Sequence, residues 1–513
     1  MVKKGVLFMN FIKKHWYIIT LLLIFAAGVF VRVYDFGNTP YGLNQDEASL
    51  GYDAWADITY GMDRNGDHNP IYAEAWNSGQ NMLYNYLIRP LIARFGLSAF
   101  VIRFPMMLSG IITLLLFYLF MRELFSKHTA LLGVFMLAIC PWHIMLSRWA
   151  IESNFVIMLA VLAMLFFAKA WKKEIWFIPA MLVASLFMYA YSVTLVFLTI
   201  FIPSIVIYVF VKKIVSLKYI LLGIGVFLVV SIPMVIFLIV NKLELETCKF
   251  LCFTIPNFAW LRYATEMFKE GNGLLEVLSD NIWRTKDIFI KMEDGRISNA
   301  TRYGAIYKFL IPFIIIGILR IINLVRDKKE YIVIPALWMF AAILHIFLID
   351  INITRINISL IPFIIAITLG LEYLFKRVRG LSYITITVCI LAFLSFTGYY
   401  FNNYNKDAQN MFYGGFDDAV RCADEYTEHS GGVVYLSSCV HESYVMAAYA
   451  IQMPPELFED NRGTRFVQGI PKDIMPQSGD AFIIKYDESV PEYLDPSRCY
   501  VCGSDTYTVY MIP

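Results

Sequence analysis

Charge is scarce in this sequence: only 16% of its 513 residues are Asp, Glu, Lys or Arg, against roughly one quarter in an ordinary soluble domain. With 58% of residues hydrophobic and 16% aromatic, an ordinary soluble globular fold is excluded and a polytopic α-helical membrane protein is indicated. The net charge is only +2, which argues against nucleic acid as a partner, because phosphate backbones call for a concentrated basic surface. Cysteine is sparse as well. The eight cysteines lack zinc-finger spacing, and the only close pairs are Cys248 with Cys252 and Cys499 with Cys502; unpaired or structural thiols are the simpler reading of both, with disulfides as the alternative. No small-residue cleavage site follows the basic start MVKKGVLFMNFIKKHW and the apolar run Trp16 to Val33, so an uncleaved first transmembrane helix is favoured over a signal peptide. No repeat of solenoid length and no low-complexity tract is present.

Long apolar runs are abundant. Bilayer-length segments recur near 16–34, 99–120, 129–146, 155–170, 175–191, 194–211, 218–240, 305–323, 331–349, 356–375 and 381–400, which predicts about eleven spans. With a cytoplasmic N-terminus, the inner loops Arg122 to His128, Lys169 to Glu174, Lys212 to Lys218, Arg320 to Glu330 and Lys376 to Gly380 are all rich in Lys or Arg, as the positive-inside rule requires. The expectation is therefore an integral, multi-pass protein of the plasma (inner) membrane whose C-terminus lies outside. The outer face then receives two long loops, 35–98 and 241–304, a short one from Ser147 to Asn154, the Asp350 to Arg355 turn, and the chain from about 401.

Chemistry-capable residues collect on that face. The first loop opens on Asp46 and Glu47 and continues with Asp53, Asp57, Asp63, Asp67, His68 and Glu74. Adjacent carboxylates at the hydrocarbon edge lose hydration and find few partners, so the doublet is either catalytic or part of a solvated loop. The stretch NMLYNYLIRPLIARFGL suits a helix lying in the interface. Residues 1–400 read as a transmembrane domain. In 401–513, the polar helical pattern DDAVRCADEYTEHSGG and the strand-like VVYLSS, AFIIKYD and TYTVYMI read as a small extracytoplasmic α/β domain.

The succession NQDEASLGYDAWADITYGMDRNGDHNPIYAEAW, GQNMLYNYLIRP, FVIRFPMMLSG and CPWHIMLSRWAIESN resembles the bacterial protein O-mannosyltransferase and aminoarabinose-transferase-like family, integral-membrane glycosyltransferases of the GT-C superfamily. The likeness is strongest over residues 30–170 and collinear to about 375. It implies a cell-envelope hexosyl or pentosyl transferase that moves sugar from a polyprenyl-phosphate donor to a protein, glycolipid or cell-wall polymer acceptor on the outer face. The resemblance places the catalytic base at Asp46, with Glu47 beside it and Glu152 as a second acid. Physically, such transfer needs a carboxylate to deprotonate the nucleophile and cations to neutralise the departing phosphate. Arg148 and Arg355 are the candidates for the phosphate, a planar fork of donors suiting it better than a lysine. Arg148 and Glu152 stand four apart, so on one helix they would share a face as an ion pair. Arg355 could equally be an interfacial snorkelling arginine. Glu152 could hold a divalent cation with Asp46, or fix a basic group that touches phosphate. Asn44, Gln80 and Tyr84 are candidate substrate contacts, and Gln80 with Asn81 replaces a proline-containing turn common among relatives. Arg103 reads as positional, and His143 as a satisfied helix-end histidine.

Two readings from other classes compete. A transporter or lipid flippase would show repeat symmetry and charges within its spans, whereas here the acids concentrate in outer loops. A membrane-anchored binding protein would work through its C-terminal domain and leave Asp46 dispensable.

Overall fold

The computed structural model describes residues 2–76, 78–258, 274–292 and 302–513. Among these, nine helical stretches are long and apolar enough to cross a membrane, from Lys14–Val33 to Leu381–Asn402, and two shorter apolar ones occupy Lys127–Ala138 and Glu174–Ala190. They fall at the eleven expected places. Of three Asn-X-Ser/Thr sequons in the sequence, the one at Asn299 lies outside the described residues.

The membrane region comprises α1 (Val2–Val33), α4 (Ala99–Leu124), α5 (Lys127–Ala138), α6 (Pro141–Leu146), α7 (Glu152–Ala170), α8 (Phe177–Ser185), α9 (Phe187–Ala190), α10 (Thr194–Val211), α11 (Leu217–Lys242), α13 (Ile311–Arg326), α14 (Val333–Leu348), α15 (Asn357–Phe375) and α16 (Leu381–Asn402). Helices α7 and α15 form its centre, while α1 and α16 are peripheral. The crossing of α13 and α15 requires glycine: a Cβ on Gly317 would lie 1.8 Å from the Ala366 carbonyl oxygen and one on Gly370 2.4 Å from that of Phe313. Such close backbone approach replaces the hydrophobic driving force that lipid cannot supply.

One expected span is broken. Run 129–146 is cut where Cys140 turns extended (φ −69°, ψ 121°) and Pro141 restarts the chain as the first residue of α6, a position where its missing N–H costs nothing. Run 175–191 ends where Tyr191 turns fully extended (φ −162°, ψ 118°). Arg148 and Glu152 consequently do not share a helix, since the chain bends between α6 and α7.

The first outer loop is ordered as α2 (Gln45–Tyr60), an antiparallel hairpin of β1 (Tyr72–Ala75) and β2 (Ser78–Asn81), and α3 (Leu83–Phe95). Helix α3 buries Tyr84, Asn85, Ile88 and Ile92 on one face, as its amphipathic pattern predicts. The second long loop contributes a hairpin, β3 (Cys248–Phe250) with β4 (Phe253–Ile255), and α12 (Leu274–Lys291).

After α16 come α17 (Tyr404–Asp407), α18 (Gln409–Phe412), α19 (Phe416–Ser430), β5 (Val434–Leu436), α20 (Ser443–Ile451), α21 (Phe458–Asn461), β6 (Phe466–Gln468), β7 (Ala481–Lys485), β8 (Tyr500–Gly503) and β9 (Tyr507–Met511). The sheet runs β6-β5-β7-β9-β8, parallel across β6, β5 and β7 and antiparallel beyond. Strands β6 and β8 carry too little alternation to be seen in the sequence. A disulfide joins Cys422 on α19 to Cys502 on β8. Cys502 therefore pairs across the fold rather than with Cys499, and Cys248, Cys252 and Cys499 are thiols.

This region sits directly on the first loop. Tyr52 donates to the Met453 carbonyl at 2.8 Å, and Asn44 Nδ2 to that of Met411 at 3.0 Å. Gly42, at φ +83°, comes so close that a Cβ would lie 2.1 Å from the Phe412 carbonyl oxygen.

Candidate active site

Helix α2 begins with a capping box. Asn44 Oδ1 accepts from the Asp46 N–H at 3.0 Å, while Glu47 Oε2 accepts from the Asn44 N–H at 3.1 Å. This satisfies orphan donors at both ends of the first turn and fixes where Asp46 points. Asn44 is thus a cap, buried and bonded to Gln45 and Met411, rather than a residue facing substrate.

Glu47 is fully buried. Arg103 Nε and Nη2 donate to its two oxygens at 2.7 Å each, and the Ala150 N–H adds a bond at 2.8 Å. Arg103 also donates to the carbonyls of Pro40 and Gly42. A carboxylate so filled is a structural anchor between the first loop, α4 and the 147–151 bend, which corrects its placement beside Asp46 as an acid of the reaction.

Arg148 is corrected in the same way. It is fully buried, and its guanidinium donates to the carbonyls of Val31, Arg32, Tyr34, Asp35 and Thr39. Its N–H groups close the C-terminal end of α1, where carbonyls lack helical partners, so none is left for a phosphate. Tyr84 is buried and donates to the Ile102 carbonyl at 2.7 Å, a packing role. His143 meets Arg32 Nη2 through Nδ1 at 2.6 Å.

Asp46 and Glu152 do come together. Both line one polar cavity of about 220 Å³, with Gln45 and Trp76 from the first loop, Trp149 and Ile151 from the bend, Ser153 from the start of α7, and Tyr191 from the end of α9. Asn352, Thr354, His441 and Glu442 complete it. Gln80 ties the acids: its Nε2 donates to the Asp46 carbonyl and to Glu152 Oε2 at 3.3 Å each, while its Oε1 accepts from Ser49 at 2.8 Å. Gln80 is a positioning residue here. The nearby Tyr413 phenol is pushed up to about 12 by burial, with the Asp46 carboxylate adding to the shift.

The remaining acids of the first loop hold it in shape. Asp53 receives Arg64 Nε at 2.8 Å and Nη2 at 2.6 Å, and Asp57 pairs with Arg89. Asp63 folds the turn that follows, its Oδ1 accepting from the N–H groups of Asn65 and Asp67. Burial pushes the Asp63 carboxyl up to about 8, with the Asp53 charge adding to it, and burial pushes Asp57 up to about 7 against the pull of Arg89.

Arg355 lies 3% exposed, donating to the Asp350 carbonyl and to its Oδ2 at 2.9 Å, while Arg284 on α12 meets the other oxygen at 2.5 Å. Asn352 Oδ1 accepts from the Arg355 N–H at 2.8 Å, so this cluster shapes the rim that brings Asn352 and Thr354 to the cavity. Asn357 is buried against Trp142 and Asn154.

An apolar groove of about 480 Å³ lies between α10 and α11. Ser192 and Val193 line it next to Tyr191 of the polar cavity, Ile349 lines it just before the Asn352 rim, and Lys242 lies on its wall. Sequence reasoning passed over Lys242, Arg284, His441 and Glu442. Lys242 ends α11 and Arg284 lies on α12, both within the stretch read from the sequence as one long loop, and the last two come from the C-terminal region, linked to Asp46 only by the fold. Among the described residues no three His, Cys, Asp or Glu groups are clustered to hold a metal ion.

The family model of dolichyl-phosphate-mannose-protein mannosyltransferases matches residues 80–237. Over that stretch the chain is similar to this family, and its fold is similar to those of solved membrane glycosyltransferases. ArnT from Cupriavidus metallidurans, solved bound to undecaprenyl phosphate, is similar with a TM-score of 0.57 at 12% identity, over 97% of this chain and 98% of that one. The oligosaccharyltransferase of Archaeoglobus fulgidus in the apo form gives 0.53 at 14% identity over 86% of this chain. The same archaeal enzyme, AglB, in complex with an inhibitory peptide and a dolichol-phosphate gives 0.50 at 13% identity. This chain spans 64% of the length of the archaeal enzyme. No curated protein sequence matches it.

Proposed function

We propose that the chain is a glycosyltransferase that moves a sugar from a polyprenyl-phosphate donor to an acceptor on the outer face of the membrane, with Asp46 as general base. One observation carries this reading: the consecutive residues Tyr191 and Ser192 line, one each, the cavity holding Asp46 and Glu152 and an apolar groove. A donor with a long apolar tail and a polar head needs such a pair of compartments. The lipid phosphates bound by ArnT and AglB support the same donor class.

In this mechanism the polyprenyl chain lies in the groove and the sugar enters the polar cavity. The bond between the anomeric carbon and the phosphate oxygen breaks, and the electron pair leaves with the polyprenyl phosphate. The acceptor oxygen bonds to the anomeric carbon and its proton passes to the Asp46 carboxylate. Gln80 holds Glu152 beside Asp46 so that the acceptor meets both acids. Lys242, on the wall of the groove, supplies positive charge for the departing phosphate, and Arg355 with Arg284 holds the Asp350 rim.

Incubating purified protein with a panel of polyprenyl-phosphate sugars should release lipid phosphate, by slow hydrolysis even without acceptor. Asp46→Asn should lower that release by about two to four orders of magnitude, the usual scale of general base catalysis, while donor binding persists. Full turnover in both Asp46→Asn and Glu152→Gln on a verified donor would remove the site from this cavity.

A further inference from the structure

The polar cavity that holds Asp46 and Glu152 is rich in groups that take protons and poor in groups that give them. Asp46, Glu152 and Glu442 line it with three carboxylates, and among the described residues His441 is its one basic side chain. Lys242 lines the apolar groove and not this cavity. In the transfer proposed above, the donor phosphate goes from a diester to a monoester, which takes up its second proton at about pH 6. Imidazole is the side chain whose proton equilibrium lies in that range, whereas a phenol ordinarily releases its proton near about 10 and a carboxyl near about 4. A proton is passed to a leaving group most effectively by an acid matched to the working pH.

The fold delivers His441 to this cavity on the segment between β5 and α20. Strand β5 is the middle one of the parallel strands β6, β5 and β7, and the chain goes from it to β6 on one side and later to β7 on the other. In open α/β sheets, the crevice outside the carboxyl ends of such strands is where ligands are met. The segment is tied down at both ends. Ser437 Oγ and the Ser438 N–H donate to Glu488 at 2.6 and 2.9 Å, and Ser438 Oγ accepts from the Ile470 N–H at 3.0 Å. At its far end the His441 N–H donates to the Tyr413 phenol oxygen at 3.2 Å. Tyr413 in turn bridges to Gly42, just before α2. The backbone of His441 is thereby fixed to the stretch that leads to Asp46, a support that preorganises a functional side chain. The ring itself is exposed, and among the described residues it has no hydrogen-bond or ion-pair partner.

We propose that His441 is the general acid of the transferase, giving a proton to the phosphate oxygen that leaves the anomeric carbon. The assignment rests on the transferase reading above. The bond between the anomeric carbon and that oxygen breaks, its electron pair stays on the oxygen, and the imidazolium proton forms the new O–H bond. The acceptor proton passes to Asp46. Between turnovers Asp46 releases its proton, and the exposed imidazole takes one from water, so both residues return to their starting states. Base and acid thus come from opposite ends of the chain.

The test uses the full-length protein in detergent, offers undecaprenyl-phosphate mannose and undecaprenyl-phosphate glucose among the donors, and follows release of undecaprenyl phosphate from about pH 5 to about pH 9. The protonated ring is the working form, so wild-type kcat should fall at the alkaline end. The other titratable groups that line the cavity are Asp46 from α2, Glu152 from α7, Tyr191 after α9 and Glu442 beside His441, with Tyr413 at the His441 N–H. His441→Gln should lower kcat at neutral pH by about a hundredfold, leave KM within about threefold, and erase the alkaline fall. His441→Gly should regain release when imidazole is added, a rescue that a folding defect would not show. An alkaline fall that persists in His441→Gln, or a His441→Gly protein that imidazole does not restore, overturns the proposal. So does an alkaline fall that disappears in Glu442→Gln or Tyr191→Phe, which would move the acid to that residue. Wild-type release together with unaltered His441 variants removes the acid alone, whereas wild-type release from no donor sinks the transferase reading and this role with it.

Discussion

The Asp46–Glu47 doublet divides its labour by geometry. One turn of helix places Glu47 inward against Arg103, and its neighbour lines a cavity of about 220 Å³. The sequence could mark both acids as unusual, but not tell them apart, because the partners of Glu47 come from α4 and the Ala150 bend. This predicts opposite phenotypes for two conservative changes. Glu47→Gln leaves a buried Arg103 without its counter-charge, a defect worth about 3–5 kcal/mol, so the variant should melt early in detergent or fail to accumulate. Asp46→Asn should fold as the wild type and lose turnover. A well-folded but inactive Glu47→Gln protein would mean that the roles are reversed.

At the scale of elements, hydropathy reveals where helices lie and misses where they break. The break at Ile139–Cys140 interrupts a run whose composition is uniformly apolar. That break and the turn at Tyr191 deliver Trp149, Glu152 and Tyr191 to the cavity, so local rules fail where the site is built. The first loop presents a similar case. Its many acids read as solvated or catalytic, yet Glu47, Asp53 and Asp63 are buried, the first two against arginines and Asp63 within its own turn. Asp63 titrates near 8 in the folded protein and near 3.9 when unfolded. Between those values the folded state keeps a proton that the unfolded chain has released. Stability should therefore fall as pH rises from about 4 towards about 8, then level off. Asp63→Asn keeps the Oδ1 acceptor that folds the turn and removes the titration. Its melting temperature should change less between pH 5 and pH 8 than that of the wild type, and an unchanged slope would put the pH dependence elsewhere.

Across the whole molecule, the candidate reaction chamber is closed by residues from opposite ends of the chain, since His441 and Glu442 complete a cavity begun by Asp46. The first loop and the C-terminal region must then lie on the same side of the membrane, a constraint independent of charge counting. Under the orientation proposed from the basic loops, that side is the outer one. Two exposed thiols offer a direct check, Cys439 beside the chamber and Cys252 between β3 and β4 in the second long loop. In intact cells, a membrane-impermeant maleimide should label single-site versions that retain only Cys439 or only Cys252 among the reactive thiols, without permeabilisation. The Cys422–Cys502 disulfide should stay unlabelled until a reductant is added, in keeping with a compartment where disulfides persist. Labelling of both thiols only after permeabilisation would place the chamber on the cytoplasmic side, and the lipid-linked donor would then have to be drawn from the inner leaflet. Labelling of one but not the other would break the shared-side constraint itself, and with it the arrangement that brings Glu442 to Asp46.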